Sequence, residues 1–392
     1  MEDGISIIIP TFNGGEVFLR SLEKIGSQEY PGPVQLIVID SGSDDGTPEV
    51  AQRAGALVRG IDRRQFHHAR TRNEALPLAR FDRVVYMVQD AVPCGRTWLA
   101  DLEKALMEND VAAVYAEQVP HRDAAPYARF ETASIQYGRG QEPVVHALES
   151  REQFLQMPYH EAYRTIGLDN ICAIYRKDLL VRTPFPNVDF AEDLAWAFKS
   201  LLMGHRIMYQ PGIKVMHSHD RSPEYAFRRQ VVNSFWCAKI MGRVERDLSF
   251  VTADDLPTLS RIVEREIDRL RNEIVGQNLG GSPGIAAWIS VRYPLSVRIK
   301  GFFSHGLYPR YRSKTRALNT LAQEVGTQIQ QIVTHIREEY RVSGKTALME
   351  VLDLAVANVL GRLYGEIYAS RVAAGLGDPE IEAIMKPFML GV

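Results

Sequence analysis

Apolar residues in the first half of the chain follow two alternating rhythms. The run "ISIIIP", residues 5 to 10, is short and continuously apolar, as a strand buried on both faces requires. After the loop "TFNGG", the segment "EVFLRSLEKI" switches to helical spacing through Val17, Phe18, Leu22 and Ile25. The unit then repeats. "QLIVID" is a second strand and "SGSDDG" its loop, followed by the helix "TPEVAQRAG" with Thr47 at its cap, Pro48 in its first turn and Gly55 at its end. "FDRVVYMVQDAVP" predicts a strand with a polar tip, and "RTWLADLEKALMEN" an amphipathic helix. Strands alternating with helices predict an α/β fold, a parallel sheet covered on both faces, with loops gathered at the carboxyl ends of the strands where such sheets bind ligands.

Past residue 120 the rhythm loosens. "HRDAAPYARFETASIQYGRGQEPVVH" has few periodic apolar positions and reads as a long excursion over the site. "NICAIYRKDLL" resumes a strand, "FAEDLAWAFKSLLMG" a helix stopped by Gly204, and "RIMYQPGIKVMHSH" two short strands. Beyond about residue 222 the β-branched runs end, which divides the chain into an α/β domain, 1–222, and a mainly helical domain, 223–392. Within the latter, "LNTLAQEVGTQIQQIVTHIREEY" and "ALMEVLDLAVANVLGRLYGEIYAS" carry apolar residues every three or four positions. They predict an antiparallel pair packed on the first domain or on a second subunit, as in a homodimer.

Composition narrows the partners. With 392 residues, 45% of them hydrophobic, the chain can build two cores, and a net charge of -2 leaves no global field for nucleic acid. The three cysteines, Cys94, Cys172 and Cys237, are odd in number and far apart, so they form neither a disulfide framework nor a zinc pair and suit a reducing cytoplasm. No signal peptide opens the chain and no run reaches the roughly 20 apolar residues of a membrane span. One basic, aromatic segment, "WISVRYPLSVRIKGFFSHGLYPRYRSKTR", lacks acids altogether. Its Trp288, Tyr293, Phe302 and Phe303 suit headgroup depth, and its Arg292, Arg298, Lys300 and Arg310 lipid phosphates, on the inner face of the cell membrane. The same composition equally suits a basic helical subdomain packed on the acidic domain.

Neither GxGxxG nor GxxxxGK[ST] occurs, which argues against a dinucleotide dehydrogenase and a P-loop NTPase. The strand ends carry carboxylates instead: Asp40, with Asp44 and Asp45 beyond it, and Asp90. Acids so placed can bond base or ribose N–H and O–H groups, or hold a hard cation against a diphosphate. In "FHHARTRNEA", His67 and His68 are read as capping a helix and packing on Phe66, and Arg70 as a solvated arginine. In "VMHSHD", His217 and His219 alternate on a short strand and point the same way, toward a metal or toward hydrogen bonds within a loop.

Taken together, "ISIIIPTFNGG", "IVIDSGSDDGT", "TRN", "VQDAVP" and "FAEDLAWA" resemble, in order and spacing, the family 2 glycosyltransferases with the GT-A fold, over residues 4 to 220. "FxHxxTRN", "QDAxP" and "HSH" look most like the bacterial rhamnosyltransferases of surface polysaccharide synthesis. The resemblance implies an inverting enzyme that moves a sugar, in the finer match rhamnose, from a nucleotide-diphosphate donor to a glycan or lipid-linked acceptor with a divalent cation. It implies that Thr11, Phe12 and Asn13 line the nucleotide together with Gln89, that Asp40 accepts a hydrogen bond from the base, and that Asp44 or Asp45 approaches base or ribose. Arg72 and Asn73 would face the diphosphate from the start of a helix. The chain departs from the family at its metal motif, where Val88 stands in place of the first aspartate of Asp-x-Asp and only Asp90 remains. The resemblance implies that a histidine, His217 or His219, completes the metal shell, and an imidazole beside oxygen ligands favours Mn²⁺ over Mg²⁺. Asp193 is implied as the base and Glu192 as an acceptor ligand, with the structural alternative that both only cap their helix. Trp196, one turn on, would stack on a sugar or belong to the core. The missing aspartate motivates a second reading, a non-catalytic subunit that binds a sugar nucleotide or glycan.

Overall fold

A computed structural model of the chain describes residues 4–275, 308–377 and 379–389. The chain splits into two compact units, Met1–Ala124 with Glu131–His219, and Ala125–Phe130 with Asp220–Val392.

The first unit runs β1 (Ile5–Thr11), α1 (Gly15–Gly26), β2 (Val34–Asp40), α2 (Thr47–Arg53), β3 (Leu57–Gly60), α3 (His68–Ala75), β4 (Arg83–Met87), β5 (Val92–Pro93), α4 (Trp98–Glu108) and β6 (Ala113–Val119). It continues through α5 (Pro126–Arg139), whose first residues belong to the second unit, β7 (Val144–His146), α6 (Arg151–Gln156), α7 (Tyr159–Thr165), β8 (Cys172–Arg176), α8 (Lys177–Arg182), α9 (Glu192–Leu202) and β9 (Ile207–Met216). The described strands form one sheet in the order β3-β2-β1-β4-β8-β6-β9-β5, with β7 beside β9. β1 to β4 are mutually parallel where they pair, but β8 runs antiparallel to both β4 and β6. The sheet is therefore mixed rather than parallel. Between β6 and β8 the chain makes no single crossover helix but passes through α5, β7, α6 and α7, which frees it to return in the opposite direction.

Side-chain alternation divides the sheet's faces. Ile5, Ile7, Ile9, Val85 and Met87 pack with Phe18, Leu22 and Ile25 of α1 and Trp98, Leu99, Leu102 and Leu106 of α4. On the other face Tyr86 and Tyr175 meet Phe185 and Trp196 of α9 in edge-on ring contacts of 5.0 to 5.8 Å.

Two local expectations are corrected. The excursion after residue 120 contains a helix, α5, started by Pro126; after Tyr127 and Ala128 its buried positions are the polar Thr132 and Gln136, which leaves little apolar periodicity. The segment from Arg206 to His219 holds one ten-residue strand, β9, not two. Its ladder with β6 jumps from Ala116↔Gln210 to Glu117↔Lys214, so Pro211, Gly212 and Ile213 bulge out where Pro211 has no N–H to give.

The second unit consists of α10 (Pro223–Met241), α11 (Leu256–Val275), α12 (Tyr308–Glu339), α13 (Lys345–Ala373) and α14 (Pro379–Met389). α13 is apolar nearly all round and central, surrounded by Phe227, Val231, Leu259, Val263, Ile329 and Val333. α12 and α13, joined by residues 340–344, are antiparallel, and Arg362 donates to Gln328 across them at 2.8 Å. α13's nearest approach is to α10, which runs parallel to it: Gly361 lies over Phe227, Gly365 over Val231, and Tyr368 stacks on Phe235 at 4.6 Å. No described helix is long and apolar enough to cross a membrane. Trp288, Arg292, Tyr293, Arg298, Lys300, Phe302, Phe303 and the Arg310 side chain lie outside the described residues.

A Cβ added at Gly365 would come within 2.5 Å of the Val231 carbonyl and 2.8 Å of the Ser234 Cβ, contacts that backbone cannot yield to cheaply. Gly365→Ala is expected to lower stability by about 1–3 kcal/mol. Gly26→Ala, where a Cβ meets nothing, should leave it unchanged or higher, and thermal unfolding followed by circular dichroism checks both.

Candidate active site

The loops after β1 and β2 are built on carboxylates. Asp40 is 4% exposed. Its Oδ1 accepts from the N–H groups of Gly42 and Ser43, and its Oδ2 from the hydroxyls of Thr11 and Ser43, at 2.5 to 3.0 Å. These four bonds fill the acceptor capacity of a carboxylate, so Asp40, with Thr11, ties the two loops together instead of offering an acceptor to a base. Asp45 does similar work: it accepts from the Thr47 hydroxyl and N–H and from the Gly15 N–H, and the Thr47 hydroxyl first among these holds its carboxyl below the ordinary range. Gln89 clamps Phe12 in both senses, its Oε1 accepting the Phe12 N–H at 2.8 Å and its Nε2 donating to the Phe12 carbonyl at 3.0 Å. Asn13, at a positive φ of 47°, takes the Asp44 N–H on its side chain. What this platform presents outward is Asn13, the Asp44 carboxylate, and the Phe12 ring with the Arg63 guanidinium 3.7 Å from its centre. Arg63 had no motif to mark it in the sequence.

α3 begins where His67 caps it, Nδ1 accepting the Arg70 N–H at 3.4 Å, while His68 meets Phe66 edge-on at 4.9 Å. Arg72 lies three residues from Ala69 and three from Ala75, on the helix's buried face. It is 2% exposed and pairs with Glu192, 120 positions away, so it does not face a diphosphate. Asn73 also turns inward, bonding the Phe185 carbonyl and N–H at 2.9 and 3.0 Å. Both expectations for the diphosphate are corrected. So is the acceptor role of Glu192, which is 5% exposed and committed to Arg72. Trp196 is fully buried, its indole N–H bonded to the Thr183 carbonyl at 2.7 Å, and has no face left for a sugar.

Asp193 differs from its neighbour. It is half-buried at the start of α9, with Oδ2 accepting the Asn170 N–H at 2.9 Å and Oδ1 the Leu194 N–H at 2.8 Å. Burial, then the charge of Glu192, pushes its pKa up to about 7. Burial also works against the Glu192 anion, but the Arg72 guanidinium, with His68 behind it, outweighs that and keeps its pKa below the ordinary value. Two adjacent carboxyls are thus separated into one fixed anion and one proton acceptor poised near neutrality. Asn170 serves both: its side-chain N–H reaches Glu192 at 3.3 Å, and its Oδ1 accepts the Tyr175 hydroxyl at 2.7 Å.

Asp90 sits in the turn between β4 and β5, and β9 delivers the histidines. Asp90 Oδ1 lies 3.8 Å from His217 Nε2 and Oδ2 3.5 Å from His219 Nδ1, with the three donor atoms within 4.8 Å of one another. Donors sharing one cation at bonds of about 2.1 Å stand roughly 3.0 to 3.5 Å apart, so the two Asp90–histidine separations are within a few tenths of an ångström of a shared shell, while donors up to 4.8 Å apart would have to draw together by about 1 Å. A carboxylate with two imidazoles suits a divalent first-row metal, and both histidines reach the same aspartate.

Residues 6–180 match the family model described as Glycosyl transferase family 2. The chain is 30% identical over 227 residues to the O-antigen chain rhamnosyltransferase WbaN of Salmonella anatum, covering 57% of this chain and 69% of that one. The chain belongs to glycosyl transferase family 2. The O-antigen chain rhamnosyltransferase RfbN of Salmonella typhimurium is also 30% identical, over 229 residues and the same shares. Among solved structures, a mannosyltransferase of Pyrobaculum calidifontis in complex with GDP-Man and Mn²⁺ covers 91% of this chain and 86% of its own at 19% identity and a TM-score of 0.45, a likeness too loose to carry an argument about chemistry.

In this glycosyltransferase the family match holds the β1–β2 platform, Asp90 and Asn170, whereas Asp193 and both histidines lie beyond it. Arg72→Ala would leave the Glu192 carboxylate buried without its partner and is expected to cost about 3–5 kcal/mol. Arg72→Met combined with Glu192→Leu should recover most of that loss, which chemical denaturation of the two variants measures.

Proposed function

We propose that this glycosyltransferase is an inverting enzyme that moves a sugar, rhamnose in keeping with its relatives, from a nucleoside-diphosphate donor to a hydroxyl of a glycan or lipid-linked glycan on the cytoplasmic side of the membrane. The observation that carries this reading is the link from Asp193, whose carboxylate accepts the Asn170 N–H at 2.9 Å and whose pKa burial pushes up to about 7, through Asn170's chain neighbour Asp169 and Gln118 to the Asp90–His217–His219 cluster. A base and a cation-binding cluster are thus tied to two consecutive residues.

In the displacement, the acceptor hydroxyl adds to the anomeric carbon from the face opposite the leaving diphosphate, and Asp193 takes the proton as the old carbon–oxygen bond breaks. A pKa near 7 leaves about half of Asp193 ionised at neutral pH and makes it basic enough to accept a proton late in bond formation. A divalent cation, Mn²⁺ in preference to Mg²⁺ given the imidazoles, would supply positive charge to the departing diphosphate from Asp90, His217 and His219. Phe12, Asn13, Asp44 and Arg63 receive the nucleoside on the platform that Thr11, Asp40, Asp45 and Gln89 hold rigid.

The test is release of nucleoside diphosphate from nucleoside-diphosphate rhamnose in the presence of Mn²⁺ and a glycan acceptor. Asp193→Asn should lower kcat by about 10² to 10⁴-fold with donor affinity unchanged. Because only the ionised carboxylate accepts a proton, wild-type kcat should rise about tenfold per pH unit below neutrality and level off above about pH 7. Asp90→Asn and His219→Ala should each abolish the stimulation by Mn²⁺. A protein that binds the donor yet releases no diphosphate would instead be a binding subunit, and the proposal would fall.

A further inference from the structure

We infer that Gln118 is a positioning residue that selects Nε2 of His217 as its metal-binding nitrogen, held in that role by Asp169 and Arg139. The inference rests on the metal reading above. It follows from donors and acceptors alone. Gln118 lies 5% exposed on β6, one end of its amide 2.7 Å from Asp169 Oδ2 and the other 3.0 Å from His217 Nδ1. A carboxylate oxygen only accepts, so the end that faces Asp169 is the NH₂ group. The end facing His217 is then the amide oxygen, which also only accepts, so Nδ1 of His217 carries the proton. A neutral imidazole holds one such proton, and its lone pair is therefore on Nε2, the nitrogen that faces Asp90.

The chain of constraints is anchored on a fixed anion. Asp169 Oδ2 pairs with Arg139 Nη2, and its Oδ1 accepts the Ile171 N–H at 3.2 Å. Arg139 in turn donates to the Gly167 carbonyl at 3.0 Å, and its guanidinium lies 5.2 Å from the Tyr115 ring centre. With Asp169 ionised and held from two sides, an amide flip at Gln118 would set its carbonyl against a carboxylate oxygen and its NH₂ against a nitrogen that already bears a proton.

The bulge in β9 is what brings Gln118 to His217. Past it, Gln118 stands opposite Val215 and the His217 N–H bonds the Val119 carbonyl at 2.8 Å. Had the earlier register continued from Ala116↔Gln210, Gln118 would stand opposite Gly212, three residues or about 10 Å along the strand from its present place. The "QPG" interruption thus aligns the histidine with the amide that orients it.

Outer partners of this kind change metal affinity by about 10- to 100-fold when removed. In the full-length, metal-free protein at pH 8, long-range ¹⁵N–¹H spectra should show His217 protonated at Nδ1. Electron paramagnetic resonance titration with Mn²⁺ should give a Kd about 10- to 100-fold weaker for Gln118→Leu than for wild type. A His217 protonated at Nε2 in the wild type, or a Gln118→Leu variant within twofold of the wild-type Kd, overturns the inference while leaving the metal reading intact. A wild type that takes up no Mn²⁺, or an Asp90→Asn variant that binds as well as wild type, overturns the metal reading and this inference with it. The spectrum needs no variant, so misfolding of Gln118→Leu would not shelter the idea.

Discussion

Glu192 and Asp193 begin α9 side by side, and taking two neighbouring carboxyls out of water costs several kcal/mol per ion unless each is compensated. Much of the first unit is arranged around that requirement. Arg72 is brought from the buried face of α3 to neutralise Glu192, and the Tyr86 hydroxyl bonds the Arg72 carbonyl at 2.9 Å, fixing the helix that carries it. Among the described residues Asp193 is bonded by backbone N–H groups and paired with no cation, so burial, then the charge of Glu192, disfavours its ionised form and its pKa rises. The positive charge at this pair is committed to Glu192, and in the proposed mechanism that leaves Asp193 as the proton acceptor.

The same logic runs through the strand that separates the two arms. At the start of β8, consecutive residues serve different carboxyls and rings: Asp169 holds Gln118, and Asn170 holds Asp193 and Glu192. β8 (Cys172–Arg176) lies between β4 and β6, antiparallel to both, and this dipeptide leads directly into it. A mixed sheet is thus more than a topological detail. The reversed strand presents its leading end beside the carboxyl ends of β4 and β6, where the Asp90 turn and Gln118 emerge.

How much of this was legible in the sequence depends on whether a residue's partner was near or far along the chain. The apolar runs that became β1, β2 and β4, the helices α1, α4 and α9, and the histidine cap of α3 follow from local periodicity and capping, and they were readable. The i, i+2 spacing correctly set His217 beside His219, although they lie just past the end of β9 at Met216 rather than on a strand, and Asp90 was recognisable as the lone acid at a strand tip. Arg72, Asn73 and Asp40 were expected at the nucleotide but are committed elsewhere, and Trp196 took the core place that was one of its two expected ones. Each has the chemistry of a ligand-binding group, but Arg72, Asn73 and Trp196 are satisfied by residues that sequence spacing does not reveal, Glu192, Phe185 and Thr183, and Asp40 by the distant Thr11 hydroxyl together with Gly42 and Ser43 of its own loop. Gln118, Asp169 and Asn170 escaped notice for the converse reason, since an amide and an acid without a motif acquire meaning only when the fold sets them beside a histidine and a buried carboxyl. α5 was missed because Thr132 and Gln136 occupy positions where periodicity would show apolar residues.

The single carboxylate at the proposed metal cluster can then be understood as a change in charge rather than a defect. A pair of aspartates would place two negative charges on a bound cation, whereas Asp90 with two neutral imidazoles places one. In the proposed arrangement more of the cation's charge remains directed at the diphosphate, at the cost of weaker electrostatic capture, which softer nitrogen donors offset for metals later in the first row. Such a shell holds only while both imidazoles stay neutral and correctly oriented. A carboxylate in place of Gln118 would pull the Nδ1 proton toward itself and add negative charge behind His217, where Asp169 already stands. A neutral amide, backed by an acid that Arg139 has compensated, orients the ring without altering the charge of the site, and that explains why an uncharged residue occupies the position closest to the ligand.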